Sequence, residues 1–174
     1  MNVVKINRLI TAAGLMLAIS GVLPAANTAG LKLDGTWLVT VNVNSPAPGV
    51  PAFSFRGLNT FLANGGMIVS DGNNAAPQGP QSQSITATAP GQGEWILIGD
   101  HLFVATTYQF RFDQNRQFAG LLRIRQIITL APAQDQFTSV FTADVMDASG
   151  NVVGAVSGMA KAARIDVLSP DARP

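Results

Sequence analysis

The stretch LDGTWLVTVNV, residues Leu33–Val43, has the clearest strand pattern in the chain. Apolar side chains occupy every second position, which is the period of a β-strand with one face against a core. These positions are Trp37, Val39, Val41 and Val43. The run ends in a segment rich in Asn, Ser, Pro and Gly at 44–49, which indicates a turn. The stretch therefore predicts a first strand that begins with the triplet Gly35-x-Trp37.

Strand patterns continue along the rest of the chain, and no window has the period of an amphipathic helix. Residues 53–63 and 67–71 predict a hairpin around Asn64-Gly65-Gly66, because these residues tolerate the positive φ of a tight turn. The polar segment 72–92 predicts a long surface loop, in which 84–88 adds a short edge strand. Further strands are predicted over 93–98, 101–112, 118–130, 137–146 and 152–164.

The number and order of these strands favour a closed barrel. About eight strands in up-and-down order leave two exposed edges unless the sheet closes, and closure removes them. We therefore expect an all-β fold, a single up-and-down antiparallel β-barrel of about eight strands. The chain is long enough to bury one core as a single domain.

The hairpins in the second half of the chain decide which residues face the interior, since a one-residue slip would invert every side chain. A loop at 113–117 places Tyr108 opposite Leu122. The following connections place Leu122 opposite Val145 and Val145 opposite Val152. This register keeps large apolar residues on one continuous face.

The inner face in this register contains the residues that we expect to contact a ligand. They are Tyr108, Gln126, Phe110, Leu122, Phe141 and Trp95. Tyr108 and Gln126 are polar groups on an otherwise apolar wall, and buried polar groups need hydrogen-bond partners. Tyr108 and Gln126 can bond to each other, to water or to a ligand. Barrels of this size either fill with side chains or hold one small ligand, so a packed interior and a site for a small apolar molecule are both open.

The last strand is predicted to meet the first one in a closed barrel. Arg164 ends the last strand on its inner face, so its guanidinium can lie across the Trp37 indole in a cation–π contact of about 0.5–2 kcal/mol. Gly35 permits the close backbone approach that this contact needs. We expect Gly35, Trp37 and Arg164 to have a structural role in closing the barrel.

This arrangement resembles the lipocalins and the wider calycin group, whose first strand begins with Gly-x-Trp and whose closing strand supplies an arginine over that tryptophan. The layout is also similar to that of secreted bacterial lipocalin-like proteins, through Gly35-Thr36-Trp37, Gly93-Glu94-Trp95 and the hairpin at 147–151. The resemblance implies a lipocalin-like barrel over residues 30–174 without an assigned activity.

Residues 1–29 have the layout of a secretory signal peptide, with Lys5 and Arg8 before the apolar run Leu9–Leu23 and small residues at 24–29. We expect cleavage and a secreted or periplasmic product without a transmembrane span; an uncleaved anchor is the alternative. Without Lys5 and Arg8 the chain has 9 basic and 10 acidic residues, and its formal charge changes from +1 to −1. This balance does not indicate a nucleic-acid surface. The absence of cysteine excludes disulfides and thiol chemistry.

Residues suited to acid–base or metal chemistry are sparse. His101 is the single histidine and follows Asp100 in a tight turn, so we expect a solvated turn residue rather than a general base. Glu94 and Asp100 lie roughly 20 Å apart along an extended strand, too far to act together. The sequence predicts no catalytic residue, no metal and no cofactor, and it favours binding over catalysis. The alternative is a cofactor-independent cyclase or isomerase resembling the allene oxide cyclase type of barrel, in which an apolar cavity shapes the substrate.

The outer face in the same register holds an ion pair and an apolar row. Arg123 lies opposite Asp144, with Thr107 on the other flank. The row consists of Phe103, Ile127 and Val140 on neighbouring strands. A contiguous apolar row on a surface is a candidate contact site, so we expect weak self-association through it. The alternative is that the polar loop 72–92 or the N-terminal segment folds over the row.

Overall fold

The computed structural model describes residues 32–45, 49–72 and 85–166. These residues form β1 (Gly35–Val43), β2 (Phe53–Phe61), β3 (Gly66–Asp71), β4 (Ile85–Thr88), β5 (Gly91–Gly99), β6 (Leu102–Asp113), β7 (Phe118–Leu130), β8 (Gln136–Met146) and β9 (Val152–Arg164). This part of the chain contains no helix. The predicted leader, 1–29, and positions 73–84 of the predicted surface loop lie outside the described residues.

The strands form one antiparallel sheet that closes on itself. β1 pairs with both β2 and β9, and β6 pairs with β7 as well as with β5. β4 and β5 lie end to end along the same side of β6, since β4 pairs near Arg111 and β5 pairs from Tyr108 onward. The nine strands therefore make a closed barrel with eight strand positions. The predicted all-β antiparallel barrel is confirmed.

Aromatic side chains fill one half of the barrel interior. The ring centroids of Trp37 and Phe137 are 5.0 Å apart, and Phe61 lies 6.0 Å from both Phe137 and Trp95. Trp95 continues the series to Phe103 at 5.6 Å. All of these contacts have the edge-to-face geometry that aromatic pairs favour. We call this half, where β1 begins and β9 ends, the closed end.

A β-bulge between β6 and β7 changes the register that the sequence predicts. Phe112 pairs with Phe118, but Arg111 pairs with Gly120, so Ala119 is an extra residue in β7. Gly120 has a φ of +132°, a conformation that favours glycine. Beyond the bulge, the alternation of β6 is displaced by one position relative to β7.

The displacement exchanges the two faces of β6. The predicted pairing of Tyr108 with Leu122 is wrong, because Tyr108 pairs with Arg123 and Gln109 pairs with Leu122. The inner face of β6 contains the buried residues Phe103, Ala105, Thr107 and Gln109. Tyr108 lies on the outer face.

In the β7–β8 and β8–β9 pairs, the side chains lie on the faces that the sequence predicts. Leu122 pairs with Val145 as predicted. Val145 pairs with Gly154 rather than with Val152, and a further irregularity follows before Met146. Because this displacement is two residues, the inner face of β9 is unchanged. It consists largely of small residues, including Gly158, Ala160 and Ala162.

Candidate functional site

A cavity of about 120 Å³ occupies the half of the barrel opposite the closed end, where β1 ends and β2 begins. Most of its wall is apolar, with Val41, Phe55, Ile124, Phe141 and Val156 among the wall residues. The small side chains of Ala143 and Ala160 also line it and leave its volume open. The interior phenylalanines Phe53, Phe55 and Phe141 near this end are only half-buried, whereas four aromatic residues of the closed end are fully buried: Trp37, Phe61, Phe103 and Phe137. The interior therefore has a packed half and a hollow half.

Three uncharged polar side chains interrupt the apolar wall: Asn59 on β2, Thr107 on β6 and Gln126 on β7. Asn59 and Thr107 are buried. The Thr107 hydroxyl has no hydrogen-bond partner among the described residues. The Gln126 Nε2 donates to the Met67 Sδ at 3.7 Å, and a thioether sulfur is a weak acceptor. The cavity wall thus has hydrogen-bonding capacity that the protein itself satisfies only in part.

The structure brings together three of the six predicted ligand contacts. Gln126, Leu122 and Phe141 all lie in the cavity wall. Gln126 and Phe141 are direct partners in the β7–β8 ladder, and Leu122 lies on the same face of β7, four residues before Gln126. These residues keep their predicted places because the β7–β8 register is the predicted one.

Trp95 faces the interior but belongs to the closed end rather than to the cavity wall. Its ring packs between Phe61 and Phe103. Its Nε1 donates to the carbonyl oxygens of Leu62 and Gly66, each at 3.1 Å. The side chain therefore fastens the β2–β3 hairpin to the barrel.

The predicted interior placement of Tyr108 and Phe110 is wrong. Both lie on the outer face, 44% and 54% exposed. Phe110 packs there against Phe118, with ring centroids 5.9 Å apart. The cause is the bulge at Gly120, which inverts β6. Tyr108 and Gln126 are consequently on opposite sides of the sheet and are not partners.

Sequence reasoning missed several residues of the cavity wall. Phe53, Phe55 and Asn59 occupy alternate positions of β2, so the period-two pattern of that strand could have identified them. Thr107 was expected on the outer face beside Arg123. Its true position depends on the bulge, for which the local sequence gives only a glycine as a signal.

At the closed end, Arg164 holds the segment that precedes β1. Its guanidinium carbon lies 4.2 Å from the centroid of the Trp37 ring. Nε donates to the Gln134 carbonyl oxygen at 3.0 Å, and Nη1 donates to that of Asp34 at 2.6 Å. Nη2 donates to the Lys32 carbonyl oxygen. The planar guanidinium thus fastens three backbone carbonyls and one aromatic ring together.

The same segment places an apolar plug over the closed end. Leu33 is fully buried, and its carbonyl oxygen accepts a hydrogen bond from the Trp37 Nε1 at 2.9 Å. Gly35 has a φ of +121°, and a Cβ there would lie 2.7 Å from the Arg164 Nη1. The backbone conformation therefore favours glycine, and a Cβ would also displace the guanidinium.

The outer face carries a three-residue ionic cluster. The Oδ2 of Asp144 accepts hydrogen bonds from Arg123 at 2.7 Å and from Arg125 at 3.0 Å. The hydrogen bond from Arg123 is the main cause that lowers the pKa of the Asp144 carboxyl, with a further contribution from Arg125. On the inner face, burial lowers the pKa of Arg111 near the end of β6.

The predicted outer apolar row also needs correction. Phe103 is buried in the closed end, so its predicted outward position is wrong. Val104 takes its place opposite Ile127, because β6 is inverted. The observed row has one residue on each strand from β5 to β9: Ile96, Val104, Ile127, Val140 and Met159.

His101 lies in the turn between β5 and β6, as predicted, with a φ of +55°. Its Nε2 is 3.7 Å from the Asp100 Oδ1. Within residues 32–45, 49–72 and 85–166, no three His, Cys, Asp or Glu side chains form a group that could hold a metal ion. The same residues include no helix with the length and apolar character needed to span a membrane.

Comparisons with protein-family models, with curated proteins and with solved structures found no match to this chain. The eight-stranded antiparallel barrel is consistent with a lipocalin-like architecture. The geometry of the cavity and the residues of its wall are the features of this barrel that bear on its function.

Proposed function

We propose that this protein is an exported β-barrel that binds one small apolar molecule in its cavity. The observation that carries the proposal is a hollow of about 120 Å³ with a largely apolar wall. A small barrel that is not filled by side chains has room for one small ligand. Burial of apolar ligand surface in such a wall is the main source of affinity.

The cavity volume limits the size of the ligand. Pockets for drug-sized molecules measure about 300–1,000 Å³, whereas an apolar cavity of about 150 Å³ accommodates benzene. A volume of about 120 Å³ is closer to the second case. We therefore propose a ligand whose buried part has about six to eight heavy atoms.

Titration with benzene, followed by the methyl NMR signals of Val41 and Val156, tests the proposal. Both residues line the cavity, so their signals should shift, and bound benzene should raise the Tm. Ala143→Leu fills the cavity and should abolish the shifts. Ala163→Leu is the matched control, because Ala163 is exposed on the outer face of β9. Unchanged signals and Tm at saturating benzene would contradict the proposal.

Export is the second part of the proposal, and the basic, apolar and small-residue layout of positions 1–29 supports it. N-terminal sequencing of the protein recovered outside the cytoplasm should find a mature end between about Pro24 and Gly30. A protein that retains Met1 and stays in the cytosol would contradict export without affecting the binding proposal.

A further inference from the structure

The polar groups of the cavity wall contain information about the chemistry of the ligand. Thr107 is 1% exposed, and its hydroxyl has no hydrogen-bond partner among the described residues. An unpaired buried hydroxyl costs about 1–3 kcal/mol, so a partner supplied by a ligand would be stabilising. Rotation about χ1 determines whether the hydroxyl or the methyl group of Thr107 faces the cavity.

Gln126 lies close enough to act on the same ligand atom as Thr107. Thr107 pairs with Ile124 and Ala105 pairs with Gln126, so Thr107 and Gln126 are diagonal neighbours on the inner face of the β6–β7 ladder. Diagonal neighbours are about 7–8 Å apart or slightly less between Cβ atoms, within reach of a long side chain such as Gln126, so one ligand oxygen can contact both residues. The bond from the Gln126 amide to sulfur is weak enough to be exchanged for a bond to oxygen.

An uncharged ligand group is favoured, because no described residue of the cavity wall has a charged side chain. Its polar members, Asn59, Thr107 and Gln126, are all neutral. A ligand carboxylate or ammonium buried among them would lose its hydration without gaining an opposite charge, which is strongly unfavourable. Arg111 is also on the inner face of β6, but it lies roughly 13 Å along the strand from Thr107.

We infer that the ligand is a small neutral molecule whose apolar ring or short chain carries one carbonyl or hydroxyl oxygen, which hydrogen-bonds to Thr107 and Gln126. The inference rests on the proposed binding function and specifies its ligand class. The apolar part of the ligand contacts the valine and phenylalanine side chains, and the oxygen lies against the β6–β7 wall. The Thr107 hydroxyl and the Gln126 amide both donate, so a carbonyl oxygen can accept from the two residues at once.

A matched pair of probes separates the ligand class from binding itself. Cyclohexanone carries a carbonyl oxygen, and methylidenecyclohexane has the same shape with a CH₂ group in its place. The quantity to measure is the ratio of their affinities for the purified protein, by NMR or calorimetric titration. Thr107→Val keeps the branched shape and removes the hydroxyl, so we expect it to reduce the ketone-to-hydrocarbon ratio about fivefold. Gln126→Met keeps the side-chain length and should reduce the same ratio.

Ser139→Ala is the control for the loss of a buried hydroxyl. Ser139 is buried and its hydroxyl also has no partner among the described residues, but the residue is not part of the cavity wall. The ratio should therefore stay at its wild-type value in Ser139→Ala. Circular dichroism and thermal unfolding establish that each variant is folded.

The outcomes distinguish the two proposals. If both probes bind and neither Thr107→Val nor Gln126→Met changes the ratio, the ligand class is wrong and the binding function stands. Tighter binding of cyclohexanecarboxylate than of cyclohexanone would also overturn the ligand class. Loss of carboxylate binding in Arg111→Gln would then identify Arg111 as the residue that binds the carboxylate. Failure of both neutral probes to bind would contradict the proposed function itself.

Discussion

Arg164 stabilises the closed end through backbone carbonyl oxygens and an aromatic ring, a combination that depends on the planar shape of the guanidinium. Its contacts join the segment before β1, the β7–β8 turn at Gln134 and the Trp37 indole. Arg164 therefore connects the end of β9 to the start of β1, about 130 residues away, and to the β7–β8 turn.

Removal of this side chain should destabilise the barrel without changing its ligand preference. We expect Arg164→Ala to lower the free energy of unfolding by about 2–4 kcal/mol, because charged hydrogen bonds to three backbone carbonyls, two of them partly buried, and a cation–π contact are lost. Chemical denaturation measures the effect, and a titration with benzene checks the cavity at the opposite end. Loss of binding with an unchanged free energy of unfolding would show that the residue is not structural.

Asp144 should make the barrel sensitive to acid. Its pKa is lower in the folded state than in the unfolded state, because Arg123 and Arg125 stabilise the carboxylate. Its contribution to stability is therefore present above the ordinary carboxyl pKa of about 3.9 and is lost as the pH falls through the folded-state value.

Asp144→Asn tests this linkage. The free energy of unfolding of the wild type should fall more steeply than that of Asp144→Asn as the pH decreases below about 4. Asp100→Asn is a suitable control, because the Asp100 side chain is 92% exposed and lies away from both arginines. Parallel pH profiles of the wild type and Asp144→Asn would refute the linkage.

At the scale of the strand connections, two hairpins use the same turn. The Asp113 Oδ1 accepts hydrogen bonds from backbone N–H groups two and four residues later, and the Asp147 Oδ1 does the same. The fourth residue of each turn has a positive φ, +60° at Arg116 and +86° at Gly150. The aspartate and the left-handed residue together fix the length of each connection.

The two turns allow a matched test of backbone strain. Gly150→Ala should lower the free energy of unfolding by about 1 kcal/mol, and Arg116→Gly should raise it by up to about 1 kcal/mol. A Cβ at Gly150 would meet no atom within 4 Å, so the effect reports the backbone conformation alone. Equilibrium denaturation in urea measures both changes, and a stability gain in Gly150→Ala would contradict the assignment.

The bulge at Gly120 explains why the sequence predicts the barrel but only half of the predicted site. The strands could be predicted because their alternation is local, and alternation survives any register. The cavity wall could not be predicted in full, because one extra residue in β7, Ala119, decides which side chains of β6 face the interior. Gly120 is required there since a Cβ would lie 2.0 Å from the Met146 carbonyl oxygen. That restriction comes from a neighbouring strand, so no local pattern reveals it.

For the molecule as a whole, the packed aromatic contacts and the cavity lie in opposite halves of the interior. The closed end contains the aromatic series, in which all rings except that of Trp95 are fully buried, and the fully buried Leu33. The cavity end contains the neutral polar residues and the half-buried phenylalanines. If the cavity binds the proposed ligand, the contacts of the closed end should stay unchanged, so we expect binding and stability to respond to different substitutions.

The outer surface supports a last prediction, weak self-association through the apolar row on β5 to β9. Ile127 and Val140, at its centre, are 47% and 52% exposed, and the row crosses adjacent strands without a charged residue. A two-fold axis can pack such a row against itself, because each copy presents the same apolar strip. Ile127→Lys places a charge in the middle of that contact and should raise the dimer dissociation constant at least about tenfold.

Sedimentation velocity over a range of concentrations distinguishes this prediction from a monomer. The control is Ser70→Lys, which adds the same charge to the exposed outer face of β3, opposite Leu58 and outside the row. Ser70→Lys should associate like the wild type, since it lies outside the proposed contact. If Ile127→Lys and Ser70→Lys weaken association equally, net charge rather than the row controls it. A wild-type protein that stays monomeric at the highest concentration removes the prediction, and the row is then an ordinary exposed apolar surface.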